Sequence, residues 1–260
     1  PGYTTVYCES GPAAVGLTAQ DVCSGEIAVT YAPDTVLGTC PHEYTINRTW
    51  STTDDCGNPA THTQVITVQD TAAPVITTQA MDSTLVCDGT DYSADFASWR
   101  AANGGATATE TCGNITWTES YVMGSTCSGD SAEVTFTATD ECGNFSTTTA
   151  IWKVVDVTAP VIVTSAVNDT VECDGAGNTA AITAWLDSNA GASATEECSG
   201  VKWSNDFTTM GMSCGSTSAV QVVFMASDSC GNSSQTVATF VIEDTTPPSF
   251  VEALPADGTF

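Results

Sequence analysis

Three stretches of the chain alternate β-branched or aromatic residues with small polar ones: NITWTESYV (114–122), AEVTFTATD (132–140) and STTTAIWKVVD (146–156). A period of two puts one set of side chains on a buried sheet face and the other in water, which predicts half-buried antiparallel strands. APVITTQ (73–79) and STLVCDG (83–89) are shorter apolar strands marked off by Pro and Gly. Between these strands the period changes. In SADFASWRAANGG (93–105), Phe96, Trp99 and Arg100 recur at helical spacing, Ala is frequent and Gly closes the run, so a short helix is expected. TAAITAWLDSNAG (179–191) repeats this with Ile182, Trp185 and Leu186. Trp99 and Trp185 are expected to plug the core beneath these helices, and Trp117, Trp152 and Trp203 to lie inside as well. The first quartet of cysteines leaves no room for a helix, and GPAAVGLTAQ (11–20) reads there as an ordinary strand.

These patterns come round more than once. The cysteines fall into three quartets: Cys8, Cys23, Cys40, Cys56; then Cys87, Cys112, Cys127, Cys142; then Cys173, Cys198, Cys214, Cys230. Each quartet ends in one phrase, DDCGN at 54–58, DECGN at 140–144 or DSCGN at 228–232, whose Gly-Asn is a turn signal. Each is followed by a Thr/Val-rich run and the punctuation DTAAP (70–74), DVTAP (156–160) or DTTPP (244–248). A unit of roughly 86 residues repeated along the chain means tandem small domains rather than one compact enzyme. Short strands with turn residues between them predict an all-β fold: tandem immunoglobulin-like β-sandwich domains, the second and third with a short inserted α-helix. The expected domains are 1–69 (a first repeat truncated at its N-terminus), 70–155, 156–243, and 244–260 as the start of a further repeat. The segment reads as a piece of a longer array.

Composition narrows the chemistry. A domain this small has a thin core, and four cysteines per unit fit two disulfides each, which places the chain in an oxidising compartment or outside the cell. Zinc needs closely spaced thiolates such as CxxC, and none occurs. The net charge is −27, with only Arg48, Arg100, Lys153 and Lys202 basic, so nucleic acid is excluded as a partner. Hard divalent cations suit such a chain. No apolar run is long enough to span a membrane. His42 and His62 have no counterparts in the other repeats, and there is no GxSxG elbow, phosphate loop or dinucleotide fingerprint. Carboxylates recur once per repeat, which fits a structural site better than one glycosidase cleft. No catalytic residues are assigned, and the chain is not expected to be an enzyme.

ITWT, VTFTATDECGN and VVDVTAP resemble the hyalin-repeat type of immunoglobulin-like module. AWLDSNAGASATEECSG resembles repeats in giant surface adhesins of Bacteroidetes, of the gliding-motility adhesin type, and CPHEYTINRTWSTTDDCGN resembles a sister variant in the same proteins. The resemblance covers essentially the whole chain. It implies type IX export, display at the outer-membrane surface, and adhesion or gliding. The partners it implies are further repeats of the same chain, and surface polysaccharide through other parts of the parent. Bacteroidetes glycosylate Asp-Ser/Thr followed by an apolar residue, which makes Thr35, Thr71, Ser131 and Thr170 candidate O-glycan sites.

In the strand order of such a sandwich, Cys112 and Cys142 fall at the N-terminal end of their domain and Cys87 and Cys127 at the far end. Of the three connectivities open to four cysteines, joining first with third and second with fourth is the one expected, with bridged Cα atoms within about 7 Å. The expected bridges are Cys8–Cys40, Cys23–Cys56, Cys87–Cys127, Cys112–Cys142, Cys173–Cys214 and Cys198–Cys230, none between domains. The same strand order gathers carboxylates at the linkers: Glu9, Asp70, Glu110 and Asp140 at the first, and Asp88, Asp156, Glu196 and Asp228 at the second. Converging carboxylates repel unless neutralised, and Ca2+ takes about six to eight oxygens, so Ca2+ is the candidate cofactor. The competing role is that these residues cap turns through side-chain to backbone hydrogen bonds. The function expected is a non-enzymatic stalk or filament segment of a secreted cell-surface adhesin. The alternative is a carbohydrate- or protein-binding accessory module of a secreted enzyme.

Overall fold

The structure, a computed structural model, describes residues 4–7, 13–127, 129–210 and 218–250. It is mostly β. In chain order the strands are β1 (Thr4–Tyr7), β2 (Ala19–Asp21), β3 (Gly25–Ile27), β4 (Thr30–Leu37), β5 (Tyr44–Thr53), β6 (Pro59–Gln69), β7 (Val75–Thr78), β8 (Ser83–Val86) and β9 (Thr107–Thr109). They continue with β10 (Thr116–Thr126), β11 (Gly129–Thr139), β12 (Phe145–Val155), β13 (Val161–Thr164), β14 (Asp169–Glu172), β15 (Ser193–Thr195), β16 (Lys202–Asn205), β17 (Ser218–Ser227) and β18 (Ser233–Glu243). Two short helices, α1 (Ser93–Ala101) and α2 (Thr179–Asp187), follow β8 and β14.

The chain divides into two compact units. The first holds Pro1–Thr84, Asp91–Gly124 and Asp130–Lys153; the second holds Leu85–Thr90, Ser125–Gly129 and Val154–Phe260. In the first unit, one sheet has the order β1-β6-β5-β4, with β1 parallel to β6 and the other pairs antiparallel. Two-stranded sheets pair β2 with β3 and β7 with β9. A further sheet has the order β10-β11-β12-β8, and one end of each of its strands belongs to the second unit. The second unit repeats the plan: β14-β18-β17-β16, with β14 parallel to β18, beside the pair β13 and β15.

The period-two pattern explains the cores. On β11, Ala132, Val134, Phe136 and Ala138 are buried while their neighbours are not; on β12, Thr148, Ala150, Trp152 and Val154 are buried. β18 buries Thr236, Ala238, Phe240 and Ile242 in the same rhythm. Each helix lays its aromatic face on such a sheet. Trp99 meets Phe136 edge-on at 5.5 Å, and Trp185 meets Phe224 at 5.2 Å. Each indole N–H also needs an acceptor when covered. Trp99 donates to the Met81 carbonyl (3.3 Å) and Trp185 to that of Val167 (3.0 Å). Trp152 and Trp185 are buried, whereas Trp99, Trp117 and Trp203 are half-buried against the same cores.

Two expectations are corrected here. Residues 13–18 form no strand, and β2 starts only at Ala19. The apolar residues of AAVGL run consecutively instead of alternating, so no single face is available to bury, and Val15 stays exposed.

The disulfide map is the larger correction. The bridges among the described residues are Cys40–Cys142, in the first unit, and Cys87–Cys198 and Cys127–Cys230, in the second. Cys112 is also disulfide-bonded, while Cys23 and Cys56 are free thiols on the surface. The expected Cys8–Cys40, Cys87–Cys127, Cys112–Cys142 and Cys198–Cys230 are therefore excluded, because Cys40, Cys87, Cys127, Cys142, Cys198 and Cys230 have other partners. Cys23–Cys56 is not formed. The expected Cys173–Cys214 involves Cys214, which lies outside the described residues. The physical reason is that two cysteines at one end of a repeat face the adjoining repeat rather than each other. Each bridge joins the third cysteine of one quartet to the fourth of the next, or the first to the second.

Candidate metal centre at the repeat joints

The phrase ending each quartet folds into one turn. Asp140 Oδ1 accepts the backbone N–H groups of Cys142 (2.8 Å) and Asn144 (2.9 Å), and its Oδ2 accepts the Asn144 side-chain amide (2.8 Å). Asp228 does the same with Cys230 (2.8 Å), Asn232 (2.9 Å) and the Asn232 amide (2.7 Å). Gly143 and Gly231 sit in the turn at φ of 90° and 91°, where a side chain would be strained. Burial acts to raise the carboxyl groups of Asp140 and Asp228, but the hydrogen bonds from Asn144 and Asn232 and from the turn N–H groups outweigh it. Both are held below the usual carboxylate value.

The asparagine of each turn also reaches the linker between repeats. Asn144 Nδ2 donates to the Asp70 carbonyl and Asn232 Nδ2 to the Asp156 carbonyl, both at 3.2 Å. These contacts bring each linker Asp against the turn of the following repeat. Asp70 Oδ1 accepts from the Ala72 N–H (3.2 Å), and Asp156 Oδ1 from the N–H and hydroxyl of Thr158 (3.0 and 2.9 Å). The second oxygen of each has no partner among the described residues: Asp70 Oδ2 and Asp156 Oδ2 are buried and bare, and so is Glu110 Oε2. Asp70 is 8% exposed and Asp156 6%. A buried anionic oxygen without a partner is costly.

In the second unit these oxygens have company. Carboxylate oxygens of Asp156 and Asp228 lie within 4.8 Å of each other and of the Cys230 sulfur; those of Asp156 and Glu196 lie equally close together beside the Cys198 sulfur. Both sulfurs are in disulfides, so the donors left for a cation are oxygens. Hard oxygen donors fit Ca2+ rather than a soft metal.

The expected ligands thus divide by role. Asp156 lies close to Asp228 in one cluster and to Glu196 in another, and Asp70 and Glu110 each carry a bare buried oxygen. Asp140 and Asp228 each have both oxygens engaged as turn caps. Asp88 is exposed and caps its own turn, accepting the N–H and hydroxyl of Thr90 (3.1 and 2.6 Å). Glu9 lies outside the described residues. Thr35, Thr71 and Thr170 are exposed and Ser131 is half-buried.

The sequence reading credited the Gly-Asn pair only with a turn and missed the grip of Asn144 and Asn232 on the linker. It also missed His42, whose Nε2 lies 3.4 Å from Glu141 Oε2, one residue from the Cys40–Cys142 bridge. The repetition of Asn after each Cys-Gly was the available signal. Gly113 lies in the same crowd: at φ of 104°, an added Cβ would fall 2.6 Å from Glu141 Oε2 and 2.8 Å from His42 Nε2.

The sequence matches no protein-family model and no curated protein. Among solved structures the chain is similar to mouse cadherin-23 EC22-24, at 12% identity over 94% of this chain and 96% of that chain, with a TM-score of 0.32. It is also similar to Drosophila N-cadherin EC1-4, at 10% identity over 94% of this chain and 73% of that chain, with a TM-score of 0.30.

Proposed function

We propose that this chain is a non-enzymatic stalk segment of a secreted cell-surface adhesin. Its immunoglobulin-like repeats, 1–69, 70–155 and 156–243 with a further one opening at 244–260, are joined by disulfides and by Ca2+ at the linkers. The observation that carries this reading is the direction of the bridges: Cys40–Cys142, Cys87–Cys198 and Cys127–Cys230 each run from one sequence repeat to the next. Cross-links of this kind serve a continuous support, whereas a binding module needs only its own fold to be held. They also require an oxidising site, outside the cell. Gliding and the type IX route rest on the sequence resemblance alone.

The calcium part is supported by the bare, buried Asp70 Oδ2 and Asp156 Oδ2 and by the approach of Glu196 and Asp228 to Asp156. Asp156, Glu196 and Asp228 would hold the ion in the second unit, and Asp70 and Glu110 in the first. Calcium neutralises the carboxylates and stabilises the folded joint by RT ln(1 + [L]/Kd), about 2.7 kcal/mol at a hundredfold excess over Kd. Calorimetric titration of the purified chain with CaCl2, with terbium luminescence as a second readout, tests it. Asp156→Asn should remove uptake in the second unit, Asp70→Asn uptake in the first, and Asp34→Asn on exposed β4 neither. Equal uptake by all three variants would leave Asp70 and Asp156 as turn caps. Saturable binding of a polysaccharide to the isolated chain would favour the accessory-module reading over the stalk.

A further inference from the structure

Corresponding strands, β4, β10 and β16, each lie at the edge of a four-stranded sheet, and two of the three are guarded. An edge strand offers a row of backbone N–H and C=O groups to any other strand, and stable proteins interrupt that row with proline, charge or an early end. β4 carries Pro33 and Asp34 at its middle. β16 stops after four residues. Its continuation turns away from the edge: Asp206 Oδ1 accepts the Val223 N–H (2.9 Å), and Phe207 and Met210 pack on the core. The opposite edges of these sheets, β1, β8 and β14, have four residues each.

β10 has none of these devices. It holds its edge for 11 residues without a proline, and β11 is its one neighbour among the described residues. Every residue from Thr118 to Ser125 is exposed, with Tyr121 at 46%, Val122 at 74% and Met123 at 51%. The one charge on the strand, Glu119, is already paired: Arg100 Nη1 donates to Glu119 Oε1 at 2.7 Å. The Arg100 guanidinium lies 4.6 Å from the Phe96 ring and 4.8 Å from the Tyr121 ring, and the two rings meet edge-on at 5.4 Å. Phe96 and Arg100 belong to α1, so the helix braces the strand from one face. The strand is held extended, and alternate backbone N–H and C=O groups point away from β11.

We infer that β10 is a self-pairing edge: its segment 116–124 receives the same strand of a second copy of this chain, antiparallel, in one continuous sheet across a two-fold axis. Charge selects this occupant. The chain carries −27, so two copies repel over most of their surfaces. On β10 they meet without bringing unpaired charge together, because Glu119 and Arg100 cancel. A basic partner would be drawn to the carboxylates elsewhere rather than to a neutral strip. Antiparallel pairing about a two-fold gives the donors of each strand the acceptors of the other, so the edge is complementary to itself. The pairing uses up the edge and stops at two chains. One strand per chain is a small interface, so the association is weak and is read at high concentration. It goes beyond the stalk reading, to a lateral contact between stalks, and no carboxylate of the joints takes part in it.

The test is sedimentation equilibrium of the full chain, in chelator and with its free thiols capped by maleimide, beside hydrogen exchange at rising protein concentration. The expected result is a monomer–dimer equilibrium that tightens as salt is raised, since screening relieves the repulsion between copies. Exchange should slow in the segment 116–124 as the dimer forms, and not in β4. Ser120→Asp/Val122→Asp, at two exposed positions, sets like charges against each other across the pair. It should weaken dimerisation about tenfold or more and leave the unfolding temperature unchanged. Thr35→Asp on guarded β4 should leave the dimer intact. Four outcomes overturn the inference: a chain monomeric at every concentration, a dimer equally tight in the double variant, growth past two chains, or protection on β4 instead of β10. The first would leave the edge to a strand of a different protein.

Discussion

The turns at Asp54–Asn58 and Asp140–Asn144 have the same hydrogen bonds and nearly the same glycine φ, yet Cys56 is a free thiol and Cys142 is bridged to Cys40. The difference separates two causes that are usually confounded. The aspartate and the asparagine shape the turn, and the bridge is added to a shape already made. What changes on bridging is exposure: Asp140 is 6% exposed, whereas the Asp54 turn remains open to solvent. The same side chain is therefore a surface cap in one repeat and a buried structural anion in the next.

The largest effect that would test this separation comes from removing the bridge alone. Cys40→Ser/Cys142→Ser opens a cross-link spanning a sequence separation of 102. The chain-entropy account puts its contribution at about 5 kcal/mol, seen as a lower unfolding temperature. Hydrogen exchange at Asn144 should still report a formed turn; loss of protection there would make the bridge, not the aspartate, the organiser. Next comes Asp140→Ala, which strands the Cys142 and Asn144 donors at a covered site and should cost about 2 kcal/mol. Asp54→Ala should cost less, since water replaces the lost acceptor. Denaturant titration of both variants checks the order.

Acid provides a third handle. Asp140 sits below its ordinary value of 3.8 in the folded chain. A depressed folded value contributes stability that is fully present above the unfolded value and is lost as pH falls through the folded one. Stability should therefore decline below about pH 4, and Asp140→Asn should flatten that decline. The smallest effect belongs to His42→Gln. The pair with Glu141 is partly exposed, so the loss should be about 0.5 kcal/mol or less and should vanish in high salt.

The helices were legible because the period of the apolar residues changes where they begin, and Trp99 and Trp185 lie where that change placed them. The long strands were legible from strict alternation, and the run at 13–18 failed because its apolar residues do not alternate. The cysteine partners were not legible. Spacing reports how many cysteines share an end, but whether they face each other or the next repeat depends on the linker. Here Pro74 and Pro160, in the two linkers, are themselves fully buried. Nor can sequence separate Asp140, whose oxygens are both satisfied, from Asp70, which keeps one bare; the letters are the same and only the surroundings differ.

The direction of the bridges has a mechanical consequence. A pull applied between Cys40 and Cys230 does not have to travel the roughly 190 residues of backbone that separate them. It crosses to Cys142, follows the chain back along β11 to Cys127, and crosses again to Cys230. That route contains roughly 15 residues, about 50 Å when fully drawn out, instead of some 600 Å for the uncrosslinked backbone. Sheets on either side can come apart under tension and add almost no length. The segment is, in effect, a leash whose maximum extension is set by one strand per repeat.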